Sequence, residues 1–138
     1  MKVRKYTELV AWQRAMDLAV AVYRVTSSFP AEERYGLTRQ ARESAVSVPS
    51  NIAEGQGRKG RKEFQHYLSI AVGSLQELET QLLLASRLGW VAAGRLKDTL
   101  DLLWEVGRLT NGLYNSLAPE ATRSDAVGSQ RDGETSSH

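Results

Sequence analysis

The stretch SAVSVPSNIAEGQGRKGRKE, residues 44–63, decides the fold. Pro49 sits between Val46, Val48 and Ile52, which keep a helical beat on either side of it. Proline is normally excluded from a helix interior, because it lacks an N–H and its ring collides with the carbonyl four residues back. A helix kinked at Pro49 is therefore expected, and the cost of that kink points to local packing or a partner surface that needs it. Gly55, Gly57 and Gly60 then break the pattern within a basic turn, and a second helix opens directly after it.

Working outward, four helical segments account for the chain up to Leu117. In the first, Leu9, Trp12, Met16, Ala19, Tyr23 and Thr26 alternate spacings of three and four, the seam of a left-handed bundle. Thr7 is its expected N-cap, and Ser27, Ser28 and Pro30 end it. The second runs from about Leu37 to Gln56, with Leu37, Ala41, Ser44, Val48 and Ile52 on one face. That face is short on bulk, so a neighbouring backbone can approach closely. The third carries Phe64, Leu68, Ala71, Leu75, Leu78, Leu82 and Ala85 in a sustained four-three rhythm, with Gly89 as its C′ stop. The fourth, about Ala92 to Leu117, has two apolar stripes. One is Leu96, Leu100, Leu103 and Gly107; the other is Leu102, Val106, Leu109 and Leu113. Two apolar faces imply packing beyond its own bundle.

No stretch alternates apolar and polar residues between turn signals, so no strand competes. Short connections imply an all-α, antiparallel up-down four-helix bundle over residues 1–117. Residues 118–138 are rich in Ser, Gly, Asp, Thr and Arg with almost no large apolar side chain, and are expected to form a disordered polar tail.

The chain has 138 residues, 41% hydrophobic and 25% charged, within the range of one soluble globular domain. It has no cysteine, which excludes disulfides, thiol catalysis and cysteine-based zinc sites. The opening MKVRKYTELV has no apolar signal core, and the longest apolar run, Leu18 to Tyr23, is too short to span a bilayer. A cytoplasmic protein without a membrane partner is expected. Residues 1–117 hold 16 of the 18 Lys/Arg and 12 of the 16 Asp/Glu, a net of +4, against −2 for the tail. That charge permits nucleic-acid binding without demanding it.

Gly55-Gln56-Gly57-Arg58-Lys59-Gly60 matches G-x-G-x-x-G, but a helix rather than a strand precedes it, so no dinucleotide cofactor is expected. Glu63 and His66 form Glu-x-x-His, yet the only other histidine is His138, and both straddle core-facing Phe64, so no metal site is expected. Ser47, Asn51, Glu54 and Arg58 share one helical stripe without a base beside any serine, which argues against catalysis. Asn51 and the serines could satisfy the Ala45 carbonyl that Pro49 leaves unpaired, and Glu54 can pair with Arg58. Pro49, Asn51, Ile52, Glu54 and Gly55 are thus assigned a structural or assembly role. The functional lead is basic: Arg58, Lys59, Arg61 and Lys62 cluster at the turn, where the next helix presents free N–H groups, and Arg39 and Arg42 lie further back.

Several of these residues fall in a recognisable order. Leu9 with Trp12, Phe29-Pro30 with Glu33, Tyr35-Gly36-Leu37, Gln40 with Arg42, Ser47-x-Pro49-Ser50-Asn51-Ile52-Ala53-Glu54-Gly55, and Ile70-Ala71-x-Gly73-Ser74-Leu75-x-Glu77-Leu78 follow one another. This pattern resembles the bacterial four-helix bundle family first noticed as proteins encoded within intervening sequences of 23S ribosomal RNA genes. That family is related to accessory variability proteins of diversity-generating retroelements. The resemblance implies a four-helix protomer, a ring-like homopentamer and a basic surface contacting nucleic acid. In the retroelement relatives it also implies contact with a reverse transcriptase. Where the family often has two adjacent arginines, this chain has Arg42-Glu43, which implies a weaker basic surface. The combined expectation is a non-enzymatic homo-oligomer without cofactor that binds RNA or DNA phosphates through Arg39, Arg42, Arg58, Lys59, Arg61 and Lys62. The alternative is a scaffold recruiting a protein such as a reverse transcriptase.

Overall fold

The computed structural model describes residues 5–118, so the tail expected from residue 118 onward lies outside the described residues except for Ala118. Within them the chain is helical, with no strand. A short 3₁₀ turn, Tyr6–Glu8, leads into α1 (Val10–Thr26), and a second, Ala31–Glu33, precedes α2 (Leu37–Gln56). Then follow α3 (Arg61–Arg87) and α4 (Ala93–Ser116). The helix bounds expected for α2 and α4 are met within a residue or so. No helix among the described residues is long and apolar enough to cross a membrane.

The four helices pack around a ring: α1 on α2, α2 on α3, α3 on α4 and α4 back on α1, with α2 and α3 most extensively in contact. Early α1 meets late α4 through Arg14 and Glu105, while Arg95 at the start of α4 reaches the Arg24 carbonyl at the end of α1. Leu18, Ile52, Leu68, Leu78 and Leu82 are fully buried at the centre. Each contributes about 1.5–3 kcal/mol relative to an exposed position.

The α3 seam is buried as its rhythm requires, apart from half-buried Phe64 at its start. Its end is a Schellman motif: the Trp90 N–H donates to the Ala85 carbonyl and Gly89 N–H to that of Ser86, with Gly89 at φ +78°. The small-residue face of α2 is also buried, against α3 and α1 within the same protomer. Helix α2 runs unbroken through buried Pro49. Asn51 does not serve the Ala45 carbonyl. Its amide folds back one turn to donate to the Ser47 carbonyl (2.8 Å) and hydroxyl (2.9 Å). The Ser47 hydroxyl in turn pairs with that of Ser74 on α3 at 2.8 Å.

Three further expectations are corrected. The buried face of α1 is Ala11, Ala15, Leu18, Val22 and Val25 together with Leu9, Ala19 and Thr26, whereas Met16 and Tyr23 are 42% and 46% exposed. The polar residues of α1, Gln13, Arg14, Asp17 and Arg24, cover only about a third of its circumference, so the spacing fits more than one face of the remainder, and the alanines win where helices approach closely. Thr7 is not its cap: Leu9 stands at that position, and the Thr7 carbonyl accepts from the Gln13 side chain. In α4 both stripes serve the protomer, since Leu102, Leu109 and Leu113 pack against the core that buries Leu96, Leu100, Leu103 and Val106.

The tightest approach is at Gly55. A β-carbon there would lie 2.8 Å from Tyr67 Cβ and 3.0 Å from Phe64 Cδ1. Tyr67 Cβ is fixed to the α3 backbone and cannot swing aside. Alanine gains roughly 1 kcal/mol in helix propensity over glycine, while overpacking costs about 1–3 kcal/mol. Gly55→Ala is therefore expected to lower the thermal midpoint in a circular-dichroism melt. A midpoint equal to or above wild type would mean that α2 and α3 can spread apart without cost.

Candidate nucleic-acid interface

The turn between α2 and α3 is four residues long because the helices are already in contact on either side of it. Gly57 closes α2, its N–H donating to the Ala53 carbonyl, and Gly60 opens α3, its carbonyl accepting from Phe64. Arg58 is committed here. It forms an ion pair with Glu54, donates to the Tyr67 hydroxyl at 2.9 Å and lies over that ring at 5.2 Å. The hydrogen bond to Glu54, foremost, pushes its guanidinium further above the usual range, so it stays cationic at any working pH. Lys59, Arg61 and Lys62 are different. All three are exposed, and none has a hydrogen bond or ion pair among the described residues. Glu63, also exposed, is the nearest uncommitted carboxylate in sequence.

Arg39 and Arg42 belong to another region. At 1.5 Å rise per residue they stand roughly 25 Å along α2 from Arg58. Arg39 pairs with Glu43 one turn on. Arg42 is anchored to α1, with its Nε donating to Thr26 Oγ1 (2.9 Å) and its guanidinium 4.6 Å from the Tyr23 ring centroid. Beside them the chain enters α2 through Glu33, whose carboxylate accepts from the Leu37 N–H at 3.1 Å. This caps a helix whose N-cap residue, Gly36, has no side chain to do so. A β-carbon on Gly36 would lie 2.8 Å from Glu33 Oε1, so the glycine makes room for the cap. Arg34 and Tyr35, held at this turn, face a groove of about 580 Å³ that also involves Tyr23, Arg39 and Arg42.

The six predicted contacts are thus two groups at opposite ends of α2, not one surface. Among the assembly residues, Ile52, Pro49 and Gly55 are buried inside the protomer, and Asn51 and Glu54 make contacts within it. Among the described residues no group of three or more His, Asp or Glu is placed to hold a metal ion, and Glu63 and His66 are exposed.

The family pattern for the 23S rRNA-intervening sequence protein matches residues 7–112, most of the chain. The chain belongs to that family. Among solved structures it is similar to a protein of unknown function from the S23 ribosomal protein family of Bacteroides thetaiotaomicron. The two share 20% identity and a TM-score of 0.71, over 76% of this chain and 98% of that one. At that identity the likeness establishes the shared fold. None of the curated proteins compared with the chain matches it.

In this family member the Glu33-x-Tyr35-Gly36-Leu37 element has a physical role that spacing alone does not reveal, because a capping glutamate three residues before its N-cap glycine has no periodic signature. Tyr23 and Tyr67, the ring partners of Arg42 and Arg58, were also missed; tyrosine and arginine distant in sequence meet only across the helix interface. Glu33→Ala is expected to lose about 1 kcal/mol of stability in urea denaturation, as a lost cap does. Glu33→Gln, which keeps an acceptor, should recover part of it. An unchanged Glu33→Ala midpoint would remove the cap from the account.

Proposed function

We propose that this protein is a non-enzymatic helical bundle that binds nucleic-acid phosphates through the α2–α3 turn. The observation carrying this reading is the trio of exposed, unpaired cations Lys59, Arg61 and Lys62 at the opening of α3. The first N–H groups of α3 point the same way and favour an anion. Arg42 and Arg58 are already held by α1 and by Glu54 with Tyr67, and Arg39 stands more than 20 Å away along α2 at about 1.5 Å per residue, so at the turn they add field more than free contacts. The reading includes an antiparallel up-down protomer, supported by the Arg14–Glu105 and Arg95–Arg24 contacts, and a cytoplasmic location.

Binding of this kind is read as salt dependence. Each phosphate contact adds about 0.7–0.9 to the slope of log affinity against log salt. Changing Lys59, Arg61 and Lys62 together to Glu is expected to abolish binding of duplex RNA and duplex DNA at low salt in fluorescence anisotropy, with the circular-dichroism melt unchanged. Changing them to Gln should lower the slope by roughly 2–3. Duplex binding that survives in the Glu variant would dispose of the turn as the site.

A second reading, a homo-oligomeric scaffold that recruits a protein such as a reverse transcriptase, is favoured by one feature. Met16, Val20, Tyr23 and Val46 form an exposed apolar strip across α1 and α2. The α2 seam and the second α4 stripe no longer support assembly, being covered within the protomer. The strip supports it, with a second copy of the chain as occupant. Val20→Glu is expected to reduce the mass found by light scattering after gel filtration to that of the protomer. An unaltered oligomer would move the interface elsewhere.

A further inference from the structure

The groove at the start of α2 gathers two rings and three guanidinium groups, Tyr23, Tyr35, Arg34, Arg39 and Arg42, against the one carboxylate of Glu43. Its volume of about 580 Å³ lies within the roughly 300–1,000 Å³ span of ligand clefts. These side chains differ in how far they are committed. Arg42 is fixed by Thr26, the Tyr23 carbonyl and the Tyr23 ring, so it forms a rigid wall. Arg39 is held only by Glu43 in a pair whose side chains are 63% and 65% exposed, which an incoming anion displaces easily. Arg34 has no ion pair among the described residues, and its guanidinium lies 5.3 Å from the Tyr35 ring centroid. Tyr35 itself is 74% exposed, a large ring left in water at a turn that the Glu33 cap holds in place.

An exposed ring with a guanidinium over one face, and the other face open, suits a planar base that carries a phosphate. Stacking on tyrosine tolerates any base, and the guanidinium fork matches phosphate oxygens. We propose that this groove binds an unpaired nucleotide, with the base stacked on Tyr35 and the phosphate held by Arg34 and Arg39. A base within a duplex has no free face to offer, so the groove selects single strands or free nucleotides. For a polymeric ligand the inference rests on the nucleic-acid reading above, and it adds discrimination between paired and unpaired bases that the turn lacks. Tyr23 and Val46 also border the apolar strip, whereas Arg34 and Tyr35 stand outside it, so the site can be tested apart from assembly.

The test is fluorescence anisotropy of the full chain with labelled oligo(U), the oligo(A)·oligo(U) duplex, and UMP as competitor. Tyr35→Ala is expected to weaken oligo(U) binding roughly tenfold or more and to leave duplex binding unchanged. Tyr35→Phe should keep wild-type affinity, and Arg34→Ala with Arg39→Ala should reproduce the loss. Competition by UMP that depends on Tyr35 would make a free nucleotide the ligand; Tyr35-dependent strand binding without it would make the strand the ligand. Unchanged oligo(U) affinity in a folded, normally assembled Tyr35→Ala, or an equal loss for strand and duplex, overturns the proposal. Duplex binding that still depends on Lys59, Arg61 and Lys62 would in that case leave the turn standing. No binding of any probe overturns both.

Discussion

At Gly55 the end of α2 lies so close to the start of α3 that a β-carbon would overlap Tyr67 Cβ. The rest of the structure follows from that contact. It lets the chain reverse within the four residues 57–60, which brings α3 back alongside α2 in the most extensive helix–helix contact of the bundle. It places Tyr67 within reach of Arg58, so that one arginine is drawn back onto the protein. The neighbouring cations have no such partner and remain in solvent. Further along the same interface, Ser47 and Ser74 share a hydrogen bond that also receives Asn51, fixing the register where Pro49 interrupts the backbone donors of α2.

Charge on this protein is sorted by commitment more than by amount. Arg39, Arg42 and Arg58 are partnered one turn away or across to another helix, while Lys59, Arg61 and Lys62 are not. Exposed ion pairs contribute at most about 1 kcal/mol, so those partners orient side chains without adding much stability. The distinction matters for function. A guanidinium anchored at several points makes a poor phosphate ligand but a good wall, and Arg42 beside Tyr23 is such a wall.

The two ends of α2 therefore offer different chemistry. At its C-terminal end the turn presents charge alone, suited to the phosphate backbone of any nucleic acid. Its N-terminal end presents rings beside guanidinium groups, the arrangement on which the proposed preference for unpaired bases rests. Between them one face of the helix is buried, and the two groups stand roughly 25 Å apart.

The sequence by itself determined the four helices, the ends of α2, α3 and α4, and the buried seams of α2 and α3. Those seams concentrate apolar residues at regular helical spacing along one face, and the few outside it, such as Val46 and Leu83, do not repeat at that spacing. Tertiary structure alone decided which face of α1 goes inward, because that helix is apolar over about two-thirds of its circumference and only contact with Glu105, Arg42 and the core breaks the tie. It also decided which cations are free. Sequence shows a run of Arg and Lys, but whether each one has a partner depends on residues such as Tyr67, Thr26 and Glu43, and these come within hydrogen-bonding distance only once the helices pack.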